Sequence, residues 1–199
     1  MTAPQVLDRS ETTFRLLTEE ESGRIREIDA SQTIGRAWRL VDGQRELVEI
    51  QYEDPDFPNG FEDHLARLRD TIRTGGLALG AFRGGKLVGF CTVDRRMFGD
   101  TARMVLLDQL FITRECRGQG TGRRLFQAAA LVAKGWGADR LYICAGSAEE
   151  TIAFYLAVGC EEAREINPVL AASDPRDLQL TFELGSIGDP SIRPISTNL

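Results

Sequence analysis

The chain reads as an α/β domain of the α+β kind, with a mixed, mostly antiparallel sheet of about six to seven strands flanked by helices. Three observations predict this. Apolar segments of strand length follow one another in the middle of the chain, at Leu77 to Phe82, Leu87 to Val93 and Met104 to Ile112, the first two joined through Gly84-Gly85. Beyond them the rhythm changes to an alternation of strand and helix. At the change lies a glycine-rich turn, Arg117-Gly118-Gln119-Gly120-Thr121-Gly122.

Taken in order, residues 1–12 are polar and aperiodic and read as a tail. Phe14 to Leu17 reads as a first strand. Thr18 followed by Glu19, Glu20 and Glu21 resembles a capped helix start, with Ile25 and Ile28 as its apolar stripe, to about Ala30. Trp38 to Val41 and Leu47 to Tyr52 flank Asp42-Gly43, a turn-prone pair that predicts a hairpin. Asp54 to Gly60, with two prolines, breaks that sheet. Phe61, Leu65, Leu68 and Ile72 recur at helical spacing up to the stop at Gly75-Gly76. After the three central strands come a helix from about Gly120 to Trp136, a strand from Arg140 to Ala145 and a helix from Glu149 to Val158. Strands are expected near Cys160 to Ile166 and Leu178 to Leu184, separated by a Pro-containing loop. Residues 185–199, rich in Gly, Pro, Ser and Thr, read as a second tail, so a single domain spans 13–184.

The 199 residues suffice for one substantial core. The longest apolar run, Ala128 to Ala133, falls far short of the roughly 20 residues that cross a bilayer. The first residues lack a basic-then-apolar signal, so the expected location is the cytoplasm, with no membrane partner. A net charge of -6 argues against a nucleic-acid partner, because neutralising phosphates takes clustered Lys and Arg. Cys91, Cys116, Cys144 and Cys160 contain no C-x-x-C pair and His64 is the single histidine, so no metal site is expected and the thiols read as reduced. His64 reads as a surface or capping residue.

The glycine-rich turn sits directly after a strand and before a helix whose stripe is Leu125, Ala129, Val132 and Trp136. Glycines let backbone approach a ligand, and the first amides of a helix point outward with its positive end, which suits a diphosphate. The P-loop pattern fails, since Gly122 is followed by Arg123-Arg124. The dinucleotide fingerprint fails because it needs glycine at 123. Arg114, Arg123 and Arg124 flank the turn and either neutralise phosphate or face solvent.

Arg117 to Gly122 does match the R-x-x-G-x-G pattern, preceded by the aliphatic-x-aliphatic triplet Leu110-Phe111-Ile112. Ala153-Phe154-Tyr155-Leu156-Ala157-Val158-Gly159-Cys160 adds a helix ending in a tyrosine, an apolar step and a glycine. In both features the chain resembles the GNAT superfamily of N-acetyltransferases, over roughly Thr13 to Leu184 and specifically between Val105 and Cys160. The resemblance implies acetyl-CoA as cosubstrate in a groove beside a splayed strand. Leu110, Phe111 and Ile112 would align the pantetheine arm, the N–H of Leu110 would face the thioester oxygen, and Arg117, Gly118, Gln119, Gly120, Thr121 and Gly122 would take the diphosphate. Where the family commonly has Asn near the start of the tyrosine-bearing helix, this chain has Gly146-Ser147-Ala148, and Ser147 is the substitute on offer. Thr121 stands where a branched aliphatic is frequent.

The resemblance makes Tyr155 the general acid for the leaving thiolate, against a packing role better suited to Phe154. Asp108, two residues from Leu110 and on its face if the strand is regular, is offered as proton acceptor or as a structural carboxylate. Glu49, Glu53, Asp54 and Asp56 either attract an ammonium or are simply solvated. The function implied is acetyl transfer to an amine, by direct attack in a ternary complex, with a small molecule as acceptor. A non-catalytic acyl-CoA sensor and a purely structural domain are the alternatives. A homodimer would be unsurprising.

Overall fold

The computed structural model describes residues 11–187. In chain order the elements are β1 (Thr13–Leu16), a 3-10 turn (Ser22–Glu27), β2 (Gln32–Val41), β3 (Gln44–Asp54), α1 (Phe61–Arg73), β4 (Leu77–Arg83), β5 (Lys86–Val93) and β6 (Met104–Ile112). Then follow α2 (Thr121–Gly135), β7 (Arg140–Ala145), α3 (Glu149–Ala157), β8 (Glu161–Glu162), α4 (Pro168–Ser173) and β9 (Leu178–Glu183).

Seven strands form one sheet in the order β1-β4-β5-β6-β7-β9-β8, and β2-β3 stand apart as a two-stranded sheet. Every pairing in the large sheet is antiparallel except β6–β7. β4 and β5 are buried along almost their whole length because both faces are covered, which explains why their sequences run apolar instead of alternating. One core fills the α2 face, with Leu125, Phe126, Ala129, Ala130 and Ala133 packed against residues such as Val88, Cys91, Val105 and Leu107. The other fills the α1 face, where Leu65 and Leu68 meet Ala78, Phe82, Leu87 and Phe90.

The hairpin turn is as expected: Asp42 (φ 48°) and Gly43 (φ 81°) both lie at positive φ, the geometry of a tight primed turn. Its strands are longer than the sequence suggested and reach back over α3. Trp38 N donates to Ser147 O at 2.8 Å, and the Arg36 guanidinium pairs with Glu149 at 2.6 Å.

Three expectations need correction. The helix to about Ala30 is only the six-residue 3-10 turn Ser22–Glu27. Gly23 disfavours extension as an α-helix, and the chain leaves the turn at Ile28, whose backbone is already extended at φ -87° and ψ 122°. The strand from Cys160 shrinks to Glu161–Glu162, and the loop after it contains α4. Asn167 caps that helix, its side chain accepting from Val169 N and Leu170 N at 3.0 and 3.1 Å, and Pro168 follows at the first helical position. His64 is buried, not on the surface. Its Nδ1 lies 2.9 Å from Gln109 Oε1 and its Nε2 lies 2.6 Å from Pro58 O, tying α1 to β6 and to the loop before it. The expected tails fall mostly on residues 1–10 and 188–199, outside the described residues.

Candidate active site

Pairing between β6 and β7 stops at Leu106↔Tyr142, yet β6 runs on to Ile112 and β7 to Ala145. The sheet therefore opens into a split. On its other side β6 stays paired with β5, but the register slips between Thr92↔Gln109 and Val93↔Leu107, leaving Asp108 as an extra residue. A bulge of this kind bends a strand and sharpens its twist, which turns the far half of β6 away from β7. Just past β6, Thr113 N donates to Val88 O at 2.9 Å. Antiparallel strands alternate the residues that exchange hydrogen bonds, so Phe111 and Gln109 direct their backbone groups at β5, and Leu110 and Ile112 direct theirs into the split.

The glycine-rich turn closes one end of this split. Gly118 and Gly120 lie at φ 73° and 84°, where a side chain would be strained, and a Cβ at either would point into open space. Arg117 folds back, its Nε donating to Ile112 O at 3.0 Å, which ties turn to strand. The Arg117 N–H is taken by Arg114 O at 3.3 Å. Among the described residues, the N–H groups from Gly118 to Arg123 have no protein acceptor; the first α2 amide with a partner is that of Arg124, to Gly120 O at 3.1 Å. Gln119 instead uses its side chain, its Nε2 donating to Glu115 O and its Oε1 accepting from Arg83. Thr121 is buried under the first turn, and Gly122 sits close to Phe154 and Ile112. The flanking arginines are held by protein: Arg123 Nη2 donates to Ala157 O at 2.8 Å, and the Arg124 guanidinium lies 4.4 Å over the Phe14 ring.

Tyr155 is buried under the split, edge-on to Phe126 and Phe154 at ring distances of 6.2 and 5.2 Å. Burial pushes its phenol well above the ordinary range, and Cys160, Cys91, Asp177 and Cys144 lie near enough to add to the shift. The phenol therefore stays protonated across the neutral range. Ser147 lies in the loop between β7 and α3, its Oγ accepting from Arg39 Nη1 at 2.6 Å, which leaves the hydroxyl proton available to donate.

The inference that Asp108 and Leu110 share a face fails at the bulge. Leu110 packs on the α2 side of the sheet, whereas Asp108 turns to α1, where Arg67 Nη2 meets Oδ1 at 2.5 Å and Arg67 Nε meets Oδ2 at 3.2 Å. Both carboxylate oxygens are already in use. Of the acidic stretch, Glu53 accepts from Thr33 across the hairpin and Asp56 from the N–H of Phe57, so these serve local structure. Next to Asp108 a groove of about 420 Å³ opens between α1, β6 and α4, lined by Arg67, Asp70, Asp94, Leu106, Asp108 and Leu170 among others.

Comparison with known proteins assigns the architecture. The model of the Acetyltransferase (GNAT) family matches residues 44–159, more than half of the chain. The chain belongs to the GNAT acetyltransferase family. GNAT members of this kind are acetyl-CoA-dependent N-acetyltransferases, and the glycine turn and the tyrosine helix both fall inside the matched segment. The fold agrees with solved structures. A nourseothricin acetyltransferase superposes with a TM-score of 0.67 at 20% identity, over 88% of this chain and 99% of that one. A Bacillus anthracis protein assigned as a streptothricin acetyltransferase, in complex with acetyl coenzyme A, gives 0.66 at 15% identity, over 86% and 96%. The PaiA N-acetyltransferase of Thermoplasma acidophilum, in complex with coenzyme A, gives 0.56 at 16%, over 87% and 99%. No curated protein matches the chain in sequence.

Several residues around the split of this GNAT chain escaped the sequence reading. Arg67, Arg39, Gln109 and Asp177 come from four separate elements or loops, and no local motif links them. For Arg67 a weak signal existed: its position on α1 four residues after Asp63, with which it also pairs at 3.4 Å. Among the described residues no group of three or more His, Cys, Asp or Glu side chains is placed to hold a metal ion, and no helix is long and apolar enough to cross a membrane. All four cysteines are free thiols.

Proposed function

We propose that the chain transfers an acetyl group from acetyl-CoA to the amine of a small molecule, by direct attack with both substrates bound together. The observation that carries this reading is the pairing of two sets of backbone groups without a protein partner: those of Leu110 and the N–H of Ile112 along the split, and the amides from Gly118 to Arg123 at its end. A pantetheine arm can add to β6 as a strand would, with its amides meeting Leu110 and Ile112 on either side of Phe111, whose own backbone groups face β5. A diphosphate suits the converging amides of Gly118, Gln119, Gly120, Thr121 and Gly122, helped by the positive end of α2 and the remaining guanidinium N–H groups of Arg117. Ser147 has a proton to donate to the arm from the opposite lip.

The chemistry needs a donor for the carbonyl oxygen as it gains charge, and a proton for the thiolate that leaves. Leu110 N–H points into the split and fills the first role. Tyr155 fills the second, because its phenol is protonated at neutral pH and lies beneath the same opening. Of the two roles offered for Asp108, the structural one is favoured: clamped by Arg67, it forms a wall of the groove. A groove of about 420 Å³ lies in the range of small-molecule sites, and the nourseothricin and streptothricin acetyltransferases that share the fold are named for small-molecule acceptors.

The test has two parts. Thermal unfolding is measured with and without acetyl-CoA, and thiol release is then followed with nourseothricin, spermidine, L-lysine and a short peptide with a free amino terminus. Stabilisation together with release on one of the three small amines is expected. Absence of stabilisation removes the cofactor assignment, and release on the peptide alone removes the small-molecule acceptor.

A further inference from the structure

Asp177 is an acid beside the split that has no side-chain partner among the described residues. It ends the loop between α4 and β9, immediately before Leu178, which pairs with Ala145 at the end of β7 that has parted from β6. The loop is held in place by backbone contacts: Asp177 N donates to Asp174 O at 3.1 Å, and Gln179 Nε2 to Asp177 O at 3.4 Å. Gln179 is itself fixed by the Tyr142 hydroxyl, 2.9 Å from its Oε1. The Asp177 carboxylate, half-buried, makes no hydrogen bond or ion pair among the described residues.

The cations nearest to it are committed elsewhere. Arg67 of α1 holds Asp108 at 2.5 Å, and Arg176 of the same loop holds Asp174 at 3.3 Å. Cys144 of β7 and Tyr155 of α3 both lie within its electrostatic reach. Desolvation, reinforced by Asp174 and opposed by Arg176 and Arg67, pushes the Asp177 carboxyl up to about 6. A half-buried carboxylate without a counter-ion costs stability, and its neighbours Asp94, Asp108 and Asp174 are all matched with arginine. A cationic ligand supplies the missing partner.

We infer that Asp177 is a catalytic residue that binds the acceptor's ammonium group and takes its proton, directly or through one water. The inference rests on the acetyltransferase reading above. Asp177 accepts one proton from the ammonium, which leaves the nitrogen lone pair free to attack the thioester carbonyl carbon. The C–N bond forms and the C–S bond breaks. Tyr155 gives its proton to the departing sulfur and regains one from the acylated nitrogen. Asp177 then loses its proton to solvent, so that ammonium and acetyl-CoA become amide, free thiol and one released proton.

The experiment compares the wild type with Asp177→Asn and Asp177→Glu, using acetyl-CoA and the best small amine of the panel. Expected for Asp177→Asn is a loss of about 100-fold in kcat/KM with the stabilisation by acetyl-CoA unchanged. In the wild type kcat/KM rises with pH through about 6, as the carboxyl becomes able to accept a proton; Asp177→Asn lacks that limb, and Asp177→Glu retains it at a reduced rate. Asp177→Asn within about twofold of wild type from pH 6 to 8 overturns this assignment and leaves the acetyltransferase reading intact. Binding of acetyl-CoA by the wild type without release on any amine overturns the reading and this assignment with it.

Discussion

At Gly120 the backbone sits at φ 84° with empty space where a Cβ would stand. Gly120→Val puts a branched side chain into that space and forces an L-residue into the left-handed region, at a cost of about 1–2 kcal/mol. We expect acetyl-CoA affinity to fall by about tenfold or more in calorimetry, with a fold that still melts cooperatively. Unchanged affinity in a folded variant would remove the diphosphate from the turn. Tyr155 makes the complementary case, because its ring is embedded among Phe126 and Phe154 and only its hydroxyl is at issue. Tyr155→Phe should bind acetyl-CoA as the wild type does and lose about 100-fold in kcat, read by thiol release under saturating substrates. Full turnover at every pH tested would leave Tyr155 a packing residue.

At the scale of elements, the glycine-rich turn is only as well placed as α2. That helix meets the sheet through Ala129, Ala130 and Ala133, all fully buried, so its axis lies close to β5 and its first turn is fixed relative to Ile112. Ala129→Leu inserts three carbons into a packed interface, with an expected cost of about 1–3 kcal/mol. It should lower Tm by several degrees in a scanning melt and weaken acetyl-CoA binding, although the residue is remote from the ligand's expected position. A melt shift without any change in binding would show that the turn holds its shape independently of the helix. Along the chain the elements that carry strong local signals were readable: β4, β5, β6 and α2 match the expected boundaries within two residues. The 3-10 turn and α4 were not, because each is a segment of six residues, too short to show a helical apolar repeat.

For the molecule as a whole, pH acts on stability through carboxyl groups shifted in opposite directions. Glu21 and Asp139 are held at about 2 by hydrogen bonds from Arg15 and Arg103, so the stability they contribute is present above the unfolded carboxylate range and lost as pH falls towards 2. Asp177 behaves inversely. Its folded carboxyl binds a proton more tightly than in the unfolded chain, so its neutral form favours folding below about 4, and that advantage is lost as pH rises through about 6. Asp177→Asn should therefore exceed the wild type in Tm by a few degrees at pH 8 and by much less at pH 4. Equal Tm values at both would mean that the carboxylate is freely solvated. Ligand binding adds to this balance, and acetyl-CoA at about 100 times its Kd should stabilise the fold by roughly 2.7 kcal/mol.

The residues from Leu110 to Gly122 and from Ala153 to Cys160 carried the proposed cofactor side in the linear sequence, because a strand, a glycine turn and a helix start are made by neighbours in the chain and leave a local pattern. The proposed acceptor side left none. Asp108 was drawn to the wrong face because a bulge, one extra residue against β5, is a property of two strands in register and invisible in either alone. Arg67 and Asp177 come to the split only after α1 and the loop before β9 have packed against the sheet, and it is that packing that leaves the Asp177 carboxylate without a partner among the described residues.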